Sequence, residues 1–210
     1  MFTGLIRCIG TITAVSHVRG GMRISISIPG DDTPNIVPGD SISVDGVCLT
    51  AASLTNNNFS VDVSKETIER STLQFVSRGT LVNIEMALQM GDKVGGHFVN
   101  GHVDGIGVIS AFTQRGNEWL LDIKVENRLM PYIVEKGSIA LDGISLTIAK
   151  IRDASFTSII VPFTFNHTTL HMKKAGDRVN IETDIFAKYS AQQLGKQETL
   201  TEDFLKSRGF

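Results

Sequence analysis

The chain has 210 residues, with 20 Lys+Arg against 22 Asp+Glu for a formal charge of −2, and 41% of it is apolar. That apolar share supports a packed core and excludes a disordered chain. Near-neutral charge without a Lys/Arg run removes the electrostatic footprint of a nucleic-acid or anionic-membrane binder, leaving a small molecule or another protein as the partner.

No apolar run approaches the roughly 18 residues of a membrane helix. The start, Met1-Phe2-Thr3-Gly4-Leu5-Ile6-Arg7, lacks the basic region and cleavage site of a secretory leader, so a cytoplasmic protein is expected. Two cysteines, Cys8 and Cys48, fit a reducing compartment and are too few for a four-cysteine zinc site.

In chain order, alternation of period two predicts strands over 23–28, 41–44, 59–63 and 81–84. Asp45-Gly46 is a hairpin or bulge signal, since glycine takes positive φ without steric cost. A short helical stretch fits 65–73. In the second half a strand is predicted over 121–125, a helical stretch over 127–134, and a second turn at Asp142-Gly143. The tail 186–194 carries helix formers with apolar positions three to five apart, and Gly195 interrupts it. Thr201 before Glu202-Asp203 is an N-cap signal for a last helix through Lys206, ending near Gly209.

These elements repeat at a constant shift of 97 positions. Ser41-Ile42 falls on Ser138-Ile139, Asp45-Gly46 on Asp142-Gly143, Leu49-Thr50 on Leu146-Thr147 and Thr72-Leu73 on Thr169-Leu170. Val82-Asn83-Ile84-Glu85 falls on Val179-Asn180-Ile181-Glu182, and no gap is needed. The chain thus reads as a tandem duplication: 1–97, 98–186 and a helical tail 187–210. Five or six short strands per copy suggest a small closed barrel, because closure removes sticky edges.

Matched polar positions are the candidates for chemistry. Cys48 is aligned with Ser145, Thr50 with Thr147 and Thr67 with Thr164. Taken alone, Cys48 is a small buried hydrophobe and the Ser/Thr groups are turn chemistry; their pairing across the repeat raises a ligand role as the alternative, while the residues alone still lean to the turn reading. Segments 4–6, 48–50 and 62–67, with images 101–103, 145–147 and 159–164, are expected to line one mouth of each barrel. His97 and His102 are five apart, which on a strand puts them on opposite faces, and His167 and His171 lack a third ligand, so no metal site is expected. The glycine-rich run 95–105 has no Gly-Lys-Ser/Thr and is neither a phosphate loop nor a dinucleotide fingerprint.

Five motifs carry a resemblance over essentially the whole chain: Met1-Phe2-Thr3-Gly4-Leu5-Ile6, Asp45-Gly46-Val47-Cys48-Leu49-Thr50, 95–105, Lys136-Gly137-Ser138 and Asp142-Gly143-Ile144-Ser145-Leu146-Thr147. The sequence resembles the riboflavin synthase family. The resemblance implies an all-β fold of two tandem six-stranded Greek-key barrels with a C-terminal helix. It implies dismutation of two 6,7-dimethyl-8-ribityllumazine molecules by four-carbon transfer, without cofactor or metal. It further implies a homotrimer bundled by the C-terminal helices, and leaves open an association with lumazine synthase.

The chemistry needs a base for the C7 methyl of one lumazine and a nucleophile or water at C7 of the other. The resemblance points to His102 as proton carrier, histidine being the residue type whose ordinary pKa lies near neutrality. Cys48 is a nucleophile or hydrogen-bond donor, and Ser145, Ser41 and Thr67 are donors. Thr50, Ser64, Glu66, Thr147 and Thr164 suit ribityl hydroxyls or the pyrimidine edge, and Lys136 reaches toward a partner subunit. The remaining expected substrate contacts are Gly4, Leu5, Ile6, Leu49, Asp62, Val63, Lys65, Gly101, Val103, Leu146, Ile159, Ile160, Val161, Pro162 and Phe163.

The copies differ. His102 is aligned with Leu5, Asp62 with Ile159 and Lys65-Glu66 with Pro162-Phe163, so one pocket is expected to be more polar. The rival reading is a non-catalytic lumazine- or flavin-binding antenna protein on the same double barrel. Retention of Cys48, Thr50, His97, His102, Ser145 and Thr147 favours the enzyme, since function lives in the site rather than the fold.

Overall fold

The computed structural model describes residues 1–28, 36–55 and 58–194. Their alternating strands close into two antiparallel six-stranded barrels. In the first, β1 (Cys8–Val18), β2 (Gly21–Ser27), β3 (Ser41–Val44), β4 (Val47–Thr55), β5 (Asn58–Ser64) and β6 (Leu81–Met86) lie in the order β1-β2-β5-β4-β3-β6, with β6 closing on β1. The second uses β7 (Gly105–Arg115), β8 (Glu118–Lys124), β9 (Ser138–Leu141), β10 (Ile144–Arg152), β11 (Ser155–Ile160) and β12 (Arg178–Thr183) in the same relative order. Strands β3, β4 and β5 are spatial neighbours in sequence order and β6 returns beside β3, which is a Greek key.

The inward-pointing side chains of the strands are mostly aliphatic, with Gly10 and Gly107 making room among them. Ile24, Ile26, Ile42, Val61 and Ile84 fill the first barrel, and Ile109, Leu121, Ile123, Ile139 and Ile181 the second. Such interiors are packed cores. Polar chemistry is therefore left to the outer faces and to the loops that cross between barrels.

The single helix expected over 65–73 is broken in two. Helix α1 (Lys65–Arg70) ends at Ser71, which is extended, and a 3₁₀ turn follows over Thr72–Phe75. The second copy repeats this with α2 (Pro162–His167) and a turn over Thr169–Met172. The cause is local: the Ser71 hydroxyl donates to the Thr67 carbonyl, and the Thr168 hydroxyl to that of Thr164. Each diverts a carbonyl from the helix ladder. The stretch expected over 127–134 is a 3₁₀ segment, Asn127–Tyr132, containing Pro131.

Helix α3 (Ile185–Leu194) begins where the Asp184 carboxylate accepts the Phe186 N–H at 2.9 Å. The expected break at Gly195 and the helix from Thr201 lie outside the described residues. Among the described residues no helix is long and apolar enough to cross a membrane.

The barrels meet about a pseudo-twofold axis at the tips of the two Asp-Gly hairpins. Asp45 and Gly46 have φ of 47° and 77°, Asp142 and Gly143 of 45° and 78°, so both are turns with two left-handed central residues. A Cβ on Gly46 would lie 2.6 Å from the Gly143 nitrogen, so the two tips touch through backbone. Two asparagines then cross the axis reciprocally. The Asn83 amide donates to the Asp142 carbonyl at 3.0 Å, and that of Asn180 donates to the Asp45 carbonyl at 2.7 Å. Their side-chain oxygens accept the N–H groups of Thr169 and Thr72, the residues that follow the two helix breaks.

Candidate functional site

Each repeat is preceded by an arm that crosses to the other barrel. The arms pair at Phe2 and Val99, whose N–H groups donate reciprocally at 2.7 and 3.0 Å. Beyond that bridge the Gly4 carbonyl accepts the Ser145 N–H at 2.8 Å, and the Gly101 carbonyl accepts the Cys48 N–H at 2.9 Å. Ile6 then packs on the core of the second barrel and Val103 on that of the first. Gly4 and Gly101 sit at φ of 76° and 78°, and a Cβ at either would fall within 2.6 Å of Ser145 or 2.5 Å of Cys48. Only glycine permits both the conformation and the approach.

This exchange corrects the expected grouping of segments. Residues 101–103, not 4–6, stand over Cys48, and residues 4–6 stand over Ser145. Nor do the groups line a barrel interior. On β4, Val47, Leu49 and Ala51 are buried inward while Cys48 and Thr50 face out.

The resulting cleft on the first barrel has a volume of about 200 Å³. Its walls are Val47 and Cys48 of β4, the α1 face carrying Glu66, Thr67 and Arg70, and the loop Gly101–Val103 from the second repeat. Thr67 is part of the helix cap as well: Ser64 accepts its N–H at 3.2 Å and the two hydroxyls lie 2.9 Å apart. Glu66 pairs with Arg70 at 3.3 Å, so the α1 wall is charged.

The pseudo-symmetric positions on the second barrel are Ser145 of β10, Phe163 and Thr164 of α2, and the loop Gly4–Ile6. Here the helix wall is aromatic. Phe163 is 71% exposed and stacks on His167 at 4.0 Å, while Phe165 turns to the barrel core and stacks on Trp119 at 3.9 Å. Ile159 and Val161 add further exposed apolar surface on either side of the buried Ile160.

The sequence marks His97 as a retained site residue and argues against a metal there, without giving it a partner. In the structure its Nδ1 lies 2.7 Å from the Ser145 hydroxyl, and its N–H donates to the Thr3 carbonyl at 3.1 Å. Burial lowers the His97 pKa from the ordinary histidine value, with Asp184 opposing. His102 lies instead at the Cys48 cleft. The two histidines therefore stand at different barrels' outer faces, and what separates them is a loop with a left-handed turn at Gly101 rather than opposite faces of a strand.

Other expected contacts are dispersed. Leu49, Val63, Leu146 and Ile160 point into the barrel cores and offer only backbone outward. Asp62 is clamped by Arg23 through two bonds of 2.7 Å, which hold its carboxyl below its ordinary value, and Lys65 faces Glu69 at 3.8 Å. Ser41 pairs with Thr50 across the ladder, and its image Ser138 with Thr147. Lys136 is exposed at φ of 68°, unusual for a residue with a side chain, where its image in the first repeat is Gly39 at 98°. Its N–H donates to the Ile148 carbonyl at 2.8 Å. His167 and His171 bind the carbonyls of Phe163 and Thr168.

The lumazine binding domain family matches the chain twice, over residues 3–87 and 100–184. The chain is 41% identical to the riboflavin synthase of Actinobacillus pleuropneumoniae and 38% identical to that of Bacillus subtilis strain 168, each alignment spanning 100% of both proteins. Among solved structures, LumP complexed with riboflavin superposes with a TM-score of 0.81 at 24% identity, covering 87% of this chain and 99% of that one, a likeness of fold. With the duplicated domain and full-length identity at this level, the chain belongs to the riboflavin synthase family.

Proposed function

We propose that this chain catalyses the dismutation of two 6,7-dimethyl-8-ribityllumazine molecules, moving a four-carbon unit from one to the other to give riboflavin and 5-amino-6-(D-ribitylamino)uracil. The observation that carries the reading is the pair of unlike outer-face sites on two copies of one domain, in a chain whose full length matches riboflavin synthases. Two molecules of one substrate must play different parts, and two related but unequal pockets supply that. Holding both rings in register replaces much of the entropy cost of a bimolecular step, worth roughly 7–11 kcal/mol.

In this reading the Cys48 cleft offers a thiol and His102 beside the charged wall of α1, for addition at C7 and for hydrogen bonds to the ribityl chain. The Ser145 site offers a hydroxyl held by His97, suited to moving the C7-methyl proton of the other lumazine. The remaining polar groups named from the sequence, Ser41, Thr50, Thr67, Thr147 and Thr164, are donors around these two centres. Two facing sites from different subunits would bring the rings together, so the active form is a homotrimer. Helix α3 serves that assembly: Phe186 and Tyr189 are each 61% exposed on it. Lys136, held out in a left-handed turn, reaches toward the neighbouring subunit's site. The protein works in the cytoplasm.

The experiment is incubation of the purified protein with the lumazine alone, followed by detection of riboflavin. Turnover in stoichiometric yield of both products supports the reading. Tight chromophore binding without turnover overturns it in favour of an antenna protein.

A further inference from the structure

Two buried glutamates at image positions bind no ligand in the sites above, yet each holds one of the crossing arms. Glu85, 5% exposed on β6, accepts the Thr3 N–H and hydroxyl at Oε1, both at 2.7 Å, and the Gly4 N–H at Oε2, at 3.0 Å. Glu182, 4% exposed on β12, accepts the Asn100 N–H at 2.7 Å through Oε1, and the N–H groups of Gly101 and His102 at 2.8 and 3.0 Å through Oε2. A run of consecutive peptide N–H groups converging on one carboxylate is a backbone nest, here filled by the protein's own side chain.

The arm that Glu182 grips comes from its own repeat, but the surface that arm completes is on the other barrel. Gly101 touches Cys48, and His102 and Val103 close the Cys48 cleft. Glu85 likewise grips the arm whose Gly4 touches Ser145. Each glutamate thus stands behind a wall of the pocket it does not belong to.

We propose that Glu182 and Glu85 are positioning residues acting crosswise: Glu182 of the second barrel sets the roof of the Cys48 pocket, and Glu85 of the first sets the roof of the Ser145 pocket. The proposal rests on the assignment of those pockets to the reaction. A carboxylate is required because two acceptor oxygens must serve at least three donors; an amide in its place turns an N–H toward them. Burial opposes the charge and raises Glu182 to about 7. The charged groups that bear on it are Asp104, which raises it further, and Lys188 of α3, which lowers it. Lys188 also pairs with Asp104 at 2.7 Å, and the Asp104 carboxylate is held in addition by the Thr183 N–H and hydroxyl. The first repeat has glycine, Gly91, at the image of Lys188, so the ion pair that ties the His102 arm to α3 has no counterpart at the image position.

The test uses Glu182→Gln and Glu85→Gln in the full-length protein, with site-resolved readouts. Alkylation of Cys48 by iodoacetamide, mapped by peptide mass, reports the first pocket; the His97 ring resonances in nitrogen NMR report the second. Glu182→Gln is expected to speed Cys48 alkylation about fivefold or more, through local opening of the roof, and to leave His97 unmoved. Glu85→Gln is expected to shift His97 and leave Cys48 alkylation unchanged. In turnover, a displaced arm is expected to raise KM and lower kcat about tenfold together, the signature of misplaced substrate. If Gln fails to yield folded protein, Asp, which keeps the charge on a shorter stem, replaces it in the same scheme. An effect confined to the glutamate's own barrel, an equal effect on both pockets, or no change in either readout overturns the proposal. A wild-type protein without lumazine turnover overturns the proposed reaction instead, because the alkylation and NMR readouts do not depend on catalysis.

Discussion

The Nδ1 of His97 lies 2.7 Å from the hydroxyl of Ser145, while the aligned position in the other barrel, Cys48, meets the loop bearing His102. The two sites therefore have the same plan and different neighbouring groups. His97 is partly buried, which disfavours its charged form. A neutral imidazole on a hydroxyl can accept a proton directly or through that oxygen.

The first prediction is that His97 titrates below the ordinary histidine value and that Ser145→Ala slows turnover. The sign follows from burial, which lowers the pKa against the weaker pull of Asp184. Loss of one positioned proton carrier costs roughly 10²-fold in rate. The check is nitrogen NMR of the imidazole against pH, combined with riboflavin formation. A His97 that protonates at or above the free value removes it from the role of base.

A second prediction concerns Cys48 and His102. Cys48→Ser and His102→Gln should each reduce kcat by about tenfold or more while assembly is unchanged, since both side chains stand at the cleft and neither is fully buried. Sedimentation and stopped assays of riboflavin are the measurements. Near-normal rates would return both residues to simple packing.

The pockets should also bind unequally. One helix wall carries Glu66 and Arg70, the other Phe163 stacked on His167, and aromatic walls favour planar rings while charged ones favour the hydroxylated chain. Titration with a fluorinated lumazine analogue followed by fluorine NMR should resolve two bound signals with different affinities and exchange rates. Two signals of equal affinity and equal exchange would sink this.

How much of this was legible in the sequence differs from residue to residue. The duplication was, because hairpin glycines, alternating aliphatics and the Asn83/Asn180 and Glu85/Glu182 pairs recur at one shift. The six-stranded closure came through the family resemblance, and the strand order bears it out. The exchange of arms was not legible. A repeat tells which position is the image of which, but residues 4–6 fit Cys48 and Ser145 equally well until Phe2 and Val99 are seen to pair. The breaks at Ser71 and Thr168 escaped notice because hydroxyl back-bonding leaves no mark on apolar periodicity. His97 stands among the retained site residues, but nothing in its spacing announces a contact with a serine 48 positions away.

The cross-axis asparagines yield a stability prediction. Asn180→Ala leaves the Asp45 carbonyl and the Thr72 N–H without their side-chain partner at a buried junction. A buried polar group left unsatisfied costs about 1–3 kcal/mol. Chemical denaturation should show that loss, with a comparable one for Asn83→Ala. A pair of variants as stable as the wild type would mean that water takes over both roles.

The last prediction follows from the paired acids at the same junction. Burial raises the Asp45 carboxyl well above the ordinary carboxylate range, with Asp142 adding to the effect and Lys173 and the Asn83 N–H opposing it. Lys173 pairs with Asp142 at 2.9 Å, and its image in the first repeat is Val76, so one cation serves two carboxyls. The folded protein therefore keeps a proton that the unfolded chain gives up near pH 4. Its contribution to stability is complete below that ordinary value and is lost as pH rises through the raised folded one. Asp45→Asn keeps an oxygen for the Asn83 N–H and removes the titration. Relative to wild type it should gain stability as the pH of urea unfolding rises from the ordinary carboxylate range through the raised folded value. Lys173→Met should do the reverse, since it strips the only charge that opposes both acids among the groups acting on Asp45. Parallel stability curves for the wild type and Asp45→Asn would show that Asp45 is ionised in the folded protein across the whole range.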